Sequence, residues 1–355
     1  MPPKVSVLWL NYNSSRFIDL AMDSLKSVKE VDYPNLELIV VDNASTDGSI
    51  YSLQKFAESI HLKHKLVISD CNLGFTGGNN LAYRHVSEDS RYIMLLNNDA
   101  VLLPDSLASL VEYAEQCKDL GAVQGIITNI TGTYIDTAGD MLDELGRAYL
   151  LLFGCPVSGL PSRDIDITFM DGACCLVKKD ALRLIGLTNH IFDEEIPMYF
   201  DDMVLGLRLW NKGFKVKSIP KIVARHKRGT SSNRYTKLLY SFLGRFTLLE
   251  LTNSRYKLLS RMYAYKIIIR QILGEPLYSK CLILALIWAQ RISKKILKKQ
   301  EGYIDIYKAP ILIIRKQELL RYILAPGRVT KIRLKEKIEK AILGEGAGDV
   351  CRSKE

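Results

Sequence analysis

"RYIMLLNNDA", residues 91–100, passes from an unbroken apolar run into Asn97, Asn98 and Asp99. A run of this kind reads as a buried strand, and Asn and Asp are common where a strand stops. Three other stretches have the same form: "VSVLWLNYN" (5–13), "LELIVVDNAS" (36–45) and "KLVISD" (65–70). Between them lie helical patterns. "SSRFIDLAMDSLKSV" reads as a serine-capped helix with Phe17, Leu20, Ala21, Leu25 and Val28 on one face; "STDGSIYSLQKFAES" is a second capped helix. After a Gly/Asn-rich loop, a short helix is expected near "NNLAYRHV". The strand–helix alternation predicts an α/β fold with a mostly parallel sheet and helices on both faces.

In such sheets ligands bind at the carboxyl ends of the strands. There the sequence places Asn11, Tyr12 and Asn13; Asp42 and Asn43; Asp70 with "CNLGFTGGNN"; and Asn97 to Asp99. Each group alone reads as a turn. Four along one edge read as a site.

At 355 residues, 48% of them hydrophobic, the chain can bury a large core. Its seven cysteines form no Cys-x-x-Cys pair, which argues against a disulfide framework or a zinc site and for a reducing, cytoplasmic compartment. The net charge of +10 is unevenly spread. Residues 1–220 hold 19 Lys+Arg against 29 Asp+Glu, whereas residues 221–355 hold 30 against 10. So cationic a segment suits phosphate-rich surfaces.

The glycines of "NLGFTGGNN" (Gly74, Gly77, Gly78) lack the dinucleotide-binding spacing, which makes hydride transfer a poor reading. They still allow backbone to approach a base or phosphate, with the helix opening near Asn79 offering free N–H groups. Asp42 either accepts hydrogen bonds from a nucleoside or caps its helix. Asp99 suits a hard divalent cation, Mg²⁺ or Mn²⁺, shared with substrate phosphates. His226, followed by Lys227 and Arg228, is a further metal ligand or phosphate contact. In "MYFDDMVLG", Asp201 and Asp202 open a helix behind Tyr199 and Phe200, where an acid is either a cap or a general base. Asp202 is the expected base and Asp201 its orienting neighbour. That helix should bury Leu205, Leu209 and Trp210, end at Gly213 and lead into two strands.

Together, "VSVLWLNYNSS", "LELIVVDNASTDGS", "NLGFTGGNN", "LLNNDA", "MDGACCLVKKDAL" and "MYFDDMVLGLRLWNKGFKVKSIPKIVARH" resemble the inverting family-two glycosyltransferases of GT-A fold, in their rhamnosyltransferase-like branch. The resemblance covers roughly residues 4–230. It implies a nucleoside-diphosphate sugar donor, held by Asn11, Asn13, Asp42, Asn72, Gly74, Phe75, Asn79 and Asn98. Asp99 takes the part of the last acid of the family's Asp-x-Asp motif, with His226 beside it on the metal. Lys227 and Arg228 fall to the diphosphate, Asp171, Gly172 and Tyr199 to the acceptor side, and Asp202 to the base. Two positions depart from the family pattern: the metal motif reads Asn-Asn-Asp, and Val204 stands where a further acid is common. The acceptor would be a glycan or a lipid-linked glycan. A catalytically inactive scaffold of the same fold and a sugar nucleotidyltransferase are the rival readings.

A boundary is expected after residue 230, with a basic helical region over 231–342 and a disordered tail over 343–355. Its segments include "YTKLLYSFLGRFTLLELTN", "YAYKIIIRQILGEPLYSKCLILALIWAQRISKKILKKQ" and "APILIIRKQELLRYIL", all read as helices. "CLILALIWA" is too short to span a bilayer. Cationic amphipathic helices either lie on an anionic membrane surface, here the inner face of the cell membrane, or pack on the catalytic domain. No nucleic-acid motif accompanies the charge.

Overall fold

The structure, a computed structural model, describes residues 1–196, 198–229, 234–274, 276–300 and 302–319. The basic stretch beyond residue 319, with the expected tail over 343–355, lies outside them.

The expected alternation forms as β1 (Val5–Asn11), α1 (Ile18–Glu30), β2 (Leu36–Asp42), α2 (Ser49–Ser59), β3 (His64–Ile68), α3 (Gly74–Arg84) and β4 (Tyr92–Asn97). A short β5 (Ala100–Leu102), α4 (Ser106–Gln116) and β6 (Leu120–Asn129) follow, then β7 (Ile135–Thr137), β8 (Asp140–Asp143), β9 (Ala148–Leu150) and β10 (Ile165–Asp166). The chain continues through β11 (Cys174–Lys178), α5 (Lys179–Leu184), α6 (Asp201–Asn211) and β12 (Lys215–His226). The large sheet has the order β10-β12-β6-β11-β4-β1-β2-β3. β1 to β4 run parallel, whereas β11 is antiparallel to both of its neighbours, β4 and β6. Both faces are covered. Val5, Val7 and Trp9 of β1 join α1 and α4 in one core cluster, and Leu8 joins α3 and α5 in the other, as the period of two along a strand requires.

Several local expectations are corrected. The helix expected near Asn79 begins at Gly74, so most of the supposed Gly-rich loop is its first turns. Asn43 makes this possible: its side chain accepts from Leu73 N and donates to Asn72 Oδ1 and Gly74 O, fixing the chain at the helix entrance. The serine cap of α1 does not form, because Ser14 Oγ donates to Asn11 Oδ1 instead. α2 likewise lacks a side-chain cap; Gly48 precedes it. The two strands expected before His226 are one irregular strand, β12, whose register against β6 shifts repeatedly. Cys71, Cys117, Cys174, Cys175 and Cys281 are free thiols.

Beyond β12 the chain forms α7 (Arg234–Leu251), α8 (Lys257–Gly274) and α9 (Pro276–Lys299). These pack on the sheet domain. Leu248, Leu251 and Ile296 share a cluster with Phe169, Phe200, Val204 and Leu207, and Gly244 of α7 lies so close to the Phe200 ring that an added Cβ would stand 2.5 Å from it. "APILII" is not helical: Ile311–Leu312 is a strand, β13, parallel to β8 in a second sheet ordered β13-β8-β9. Buried Glu144 anchors that return, accepting from Arg255, Tyr307 and Ile314 N.

Candidate active site

β4 delivers Asp99 to the sheet edge, and two pairings decide what meets it. β5 pairs with β12, so His226 lies opposite Ala100, one residue past Asp99. β7 folds back on the end of β6 and brings in Asp136. His226 is 6% exposed and has a carboxylate on each ring nitrogen, Asp99 Oδ1 at 3.1 Å from Nε2 and Asp136 Oδ2 at 2.9 Å from Nδ1. Burial would lower its pKa; the two carboxylates outweigh that and raise it to about 9, so the ring is an imidazolium at neutral pH. The backbone N–H of Lys227 donates to Asp99 O, while its side chain is exposed. Arg228 donates from Nε to Asp136 and from Nη2 to Asp171, at 2.7 and 2.5 Å.

Asp171 is therefore the next member of a chain of alternating charges. It reaches this position because Ala173 O accepts from Asn97 N beside the β4 terminus, and because buried Gln124 accepts from the Asp171 N–H. Burial works against its charge, but Arg228 and His226 hold its pKa below the usual carboxylate value. Asp140, with Thr137 as hydrogen-bond partner, lies close by; burial and then Asp171 push its pKa well up.

Asp201 and Asp202 open α6 as expected. Tyr199 and Phe200 just before them have φ of +58° and +68°, a left-handed conformation rare for large side chains, which turns the chain sharply into the helix. Asp201 is buried, and its Oδ2 has no hydrogen-bond partner among the described residues. Burial raises its pKa to about 7, against backbone hydrogen bonds that lower it. Asp202 is partly exposed, with Oδ1 accepting from Met203 N. Its pKa is pushed well up by burial, then by Asp201, Asp171 and Asp140. The doublet and the Asp99–His226 pair thus share one electrostatic neighbourhood through Asp171. Gly206 sets the approach of α6: an added Cβ would stand 2.6 Å from Thr168 O and Phe169 Cβ, on the segment leading to Asp171.

The expected donor residues divide in two. Asn11 and Asp42 are turned inward, Asn11 Nδ2 donating to Asp42, Ser45 and Ser49, and Asp42 accepting from Ser45 N. They brace the rim. Asn79 is buried, its amide donating to Phe75 O. Asn13 is half-buried at φ +47°, accepting from Thr46 N. Asn72 is exposed, and Gly74 and Phe75 are half-buried at the start of α3. Asn98 is buried beside Asp99. The Phe75 ring lies within 4 Å of where a Cβ on Gly172 would be, which ties the α3 entrance to the Asp171 segment. Asp136, Asp140 and Gln124 were not singled out from sequence; their signal was polar residues within the apolar, irregular run 120–141.

Among the described residues no three His, Cys, Asp or Glu side chains form a cluster able to hold a metal ion by themselves. Asp99 and His226 nevertheless fit a two-ligand site of the kind completed by substrate phosphates, which are oxygen donors to a hard cation. The imidazolium already neutralises Asp99 there; a cation would take the place of its proton.

The family model for glycosyl transferase family 2 matches residues 6–186. The poly-beta-1,6-N-acetyl-D-glucosamine synthase of Staphylococcus epidermidis is 26% identical over 207 residues, 54% of this chain and 47% of that protein. The N-acetylglucosaminyl-diphospho-decaprenol L-rhamnosyltransferase of Mycobacterium tuberculosis is 22% identical over 219 residues, 56% of this chain and 69% of that protein. An uncharacterized glycosyltransferase of Haemophilus influenzae is matched over 33% of its length, so the chain spans less than half of two of these relatives. Among solved structures, a mannosyltransferase from Pyrobaculum calidifontis in complex with GDP-Man and Mn²⁺ aligns with a TM-score of 0.50 at 20% identity, covering 100% of this chain and 89% of that one. The architecture is the GT-A fold.

Proposed function

Since the chain belongs to glycosyl transferase family 2, we propose that it moves a sugar from a nucleoside-diphosphate sugar to a hydroxyl of a glycan or lipid-linked acceptor in cell-surface polysaccharide assembly, with inversion at the anomeric carbon. What supports this reading is the juxtaposition just described: a carboxylate doublet with raised pKa on one side of Asp171, and Asp99 with His226 on the other. The GDP-Man and Mn²⁺ of the Pyrobaculum structure support a sugar-nucleotide donor and a divalent cation.

In this scheme Asp202, in its ionised form, removes the proton from the acceptor hydroxyl. Asp201 orients it. Arg228 and Lys227 lie towards the departing diphosphate, and Asp171, Gly172 and Tyr199 towards the acceptor. Asn13, Asn72, Gly74, Phe75 and Asn98 line the nucleotide side, which Asn11, Asp42 and Asn79 hold in shape. Asp99 and His226 would hold Mg²⁺ or Mn²⁺, which when bound offsets negative charge on the diphosphate. A single displacement inverts the anomeric carbon. We take residues 1–230 as the catalytic unit, and the basic sequence from residue 231 onward would hold the enzyme peripherally at the cytoplasmic face of the cell membrane. No helix among the described residues is long and apolar enough to cross it.

The test is a panel of sugar nucleotides incubated with Mn²⁺, with and without a hydroxyl acceptor. Release of nucleoside diphosphate supports the transferase reading, and NMR of the product reports the anomeric configuration. Pyrophosphate as the released species would replace it with nucleotidyl transfer, and no turnover of any donor would leave a scaffold.

A further inference from the structure

Among the described residues, α8 and α9 each have a face left uncovered. On α8, Ser260, Ala264 and Ile268 are buried, whereas Leu258, Met262, Tyr265 and Ile269 are 69%, 60%, 54% and 61% exposed. At 3.6 residues per turn these four fall within an arc of roughly 60°. On α9, Leu282, Ala285, Ala289 and Ile296 are buried, while Ile283, Leu284, Ile287 and Trp288 stand in solvent, Trp288 at 54%. The two helices pack against each other. Apolar residues exposed singly are ordinary; two rows on adjacent helices are not.

The charge beside these rows is mostly basic, although Glu250 pairs with Arg261, and Glu195 with Lys295 and Lys299. Lys280 precedes the α9 row, and Arg291, Lys294 and Lys298, all exposed, follow it on the same side of the helix. From Lys257 to Lys299 the sequence holds ten Lys and Arg and one acid, Glu275.

We propose that this face is a docking surface for an anionic lipid bilayer, Leu258, Met262, Ile269, Leu284 and Trp288 entering the boundary between headgroups and acyl chains while the basic residues meet the lipid phosphates. The sign of the charge selects this occupant. A second copy of the face, or the chain's own basic segment beyond residue 319, would bring like charge against like. α7, which packs against both α8 and α9, carries the contact between Gly244 and Phe200 beside the Asp201–Asp202 doublet. Docking therefore fixes the surface next to the acceptor side of the cleft. This deepens the membrane-face reading above and rests on it for its purpose, but not for its test.

The test uses the full chain with vesicles of phosphatidylcholine alone and of phosphatidylcholine mixed with phosphatidylglycerol. Binding to the mixed vesicles should exceed binding to the neutral ones and weaken with salt. The combined variant Met262→Ser, Ile269→Ser, Leu284→Ser and Trp288→Ser should bind about tenfold more weakly or worse, because apolar burial and lipid charge act together. These side chains are exposed, so an unchanged thermal midpoint reports an intact fold. Trp9 is buried and Trp210 half-buried, so a blue shift of emission on adding mixed vesicles should disappear in Trp288→Phe. Equal binding by the combined variant, or no blue shift in the parent, would overturn the proposal. So would a parent dimer that the variant turns into a monomer, which would assign the face to a second copy. Donor turnover measured without vesicles tests the transferase reading separately, so either can fail alone.

Discussion

Asp136 Oδ2 lies 2.9 Å from His226 Nδ1, across ninety positions of sequence, and Asp136 Oδ1 takes Arg228 Nε at 2.7 Å. One buried carboxylate thus orients both the imidazole facing Asp99 and the guanidinium facing Asp171. A carboxylate behind a histidine fixes which ring nitrogen faces outward and raises its basicity.

Asp136→Asn should leave the fold intact while lowering turnover by about tenfold to a hundredfold, the range typical of losing the partner behind a metal-facing histidine. The apparent affinity for Mn²⁺, read by titrating activity, should weaken in parallel. An unchanged Mn²⁺ dependence would remove Asp136 from that role.

Asp99→Ala and Asp202→Asn should each abolish transfer for different reasons. The first should also weaken metal-dependent donor binding, measured calorimetrically. The second should leave donor binding near the parent value, because it removes a base without touching the diphosphate side. Full activity in either variant would take that residue out of the mechanism.

Asp201 predicts how stability changes with pH. Its folded pKa of about 7 lies above the ordinary carboxylate value of about 3.9, so the folded state holds the proton more tightly. Its contribution is therefore present at low pH and lost as pH rises through about 4 to about 7. Asp201→Asn removes that loss. Denaturant titrations should show the variant gaining about 2–3 kcal/mol on the parent between pH 5 and pH 8. A difference independent of pH would mean that Asp201 is ionised throughout.

Gly206→Ala tests the fit between α6 and the segment leading to Asp171. The added methyl meets backbone at Thr168 O, which cannot rotate away. A loss of about 1–3 kcal/mol in stability is expected. Activity should fall further than stability explains, because the Asp201–Asp202 doublet shifts relative to Asp171. Wild-type turnover in the folded fraction would show that this spacing is not critical.

The parallel half of the sheet was legible in the sequence because its signals are local. Four apolar runs ending in polar residues at Asn11, Asp42, Asp70 and Asn97 state a strand and its carboxyl end within ten residues each. The start of α6 at Asp201 was legible for the same reason. The entrance of α3 was not, because Asn43, thirty residues earlier, supplies the hydrogen bonds that start the helix at Gly74. "APILII" misled in another way: its apolar residues fit a helix until β8 offers Ile311 and Leu312 a strand to pair with.

Sequence by itself determined that Asp99, His226, Asp201 and Asp202 belong to strand and helix ends, since chain direction and periodicity fix those ends. Only the tertiary structure decided that they share a neighbourhood with Asp171, and that Asp136 and Asp140 complete it. The physical reason is that pairing between β12 and β5, and between β6 and β7, sets which buried charges lie within reach of one another. In a desolvated site that proximity governs their protonation, and no spacing along the chain encodes it.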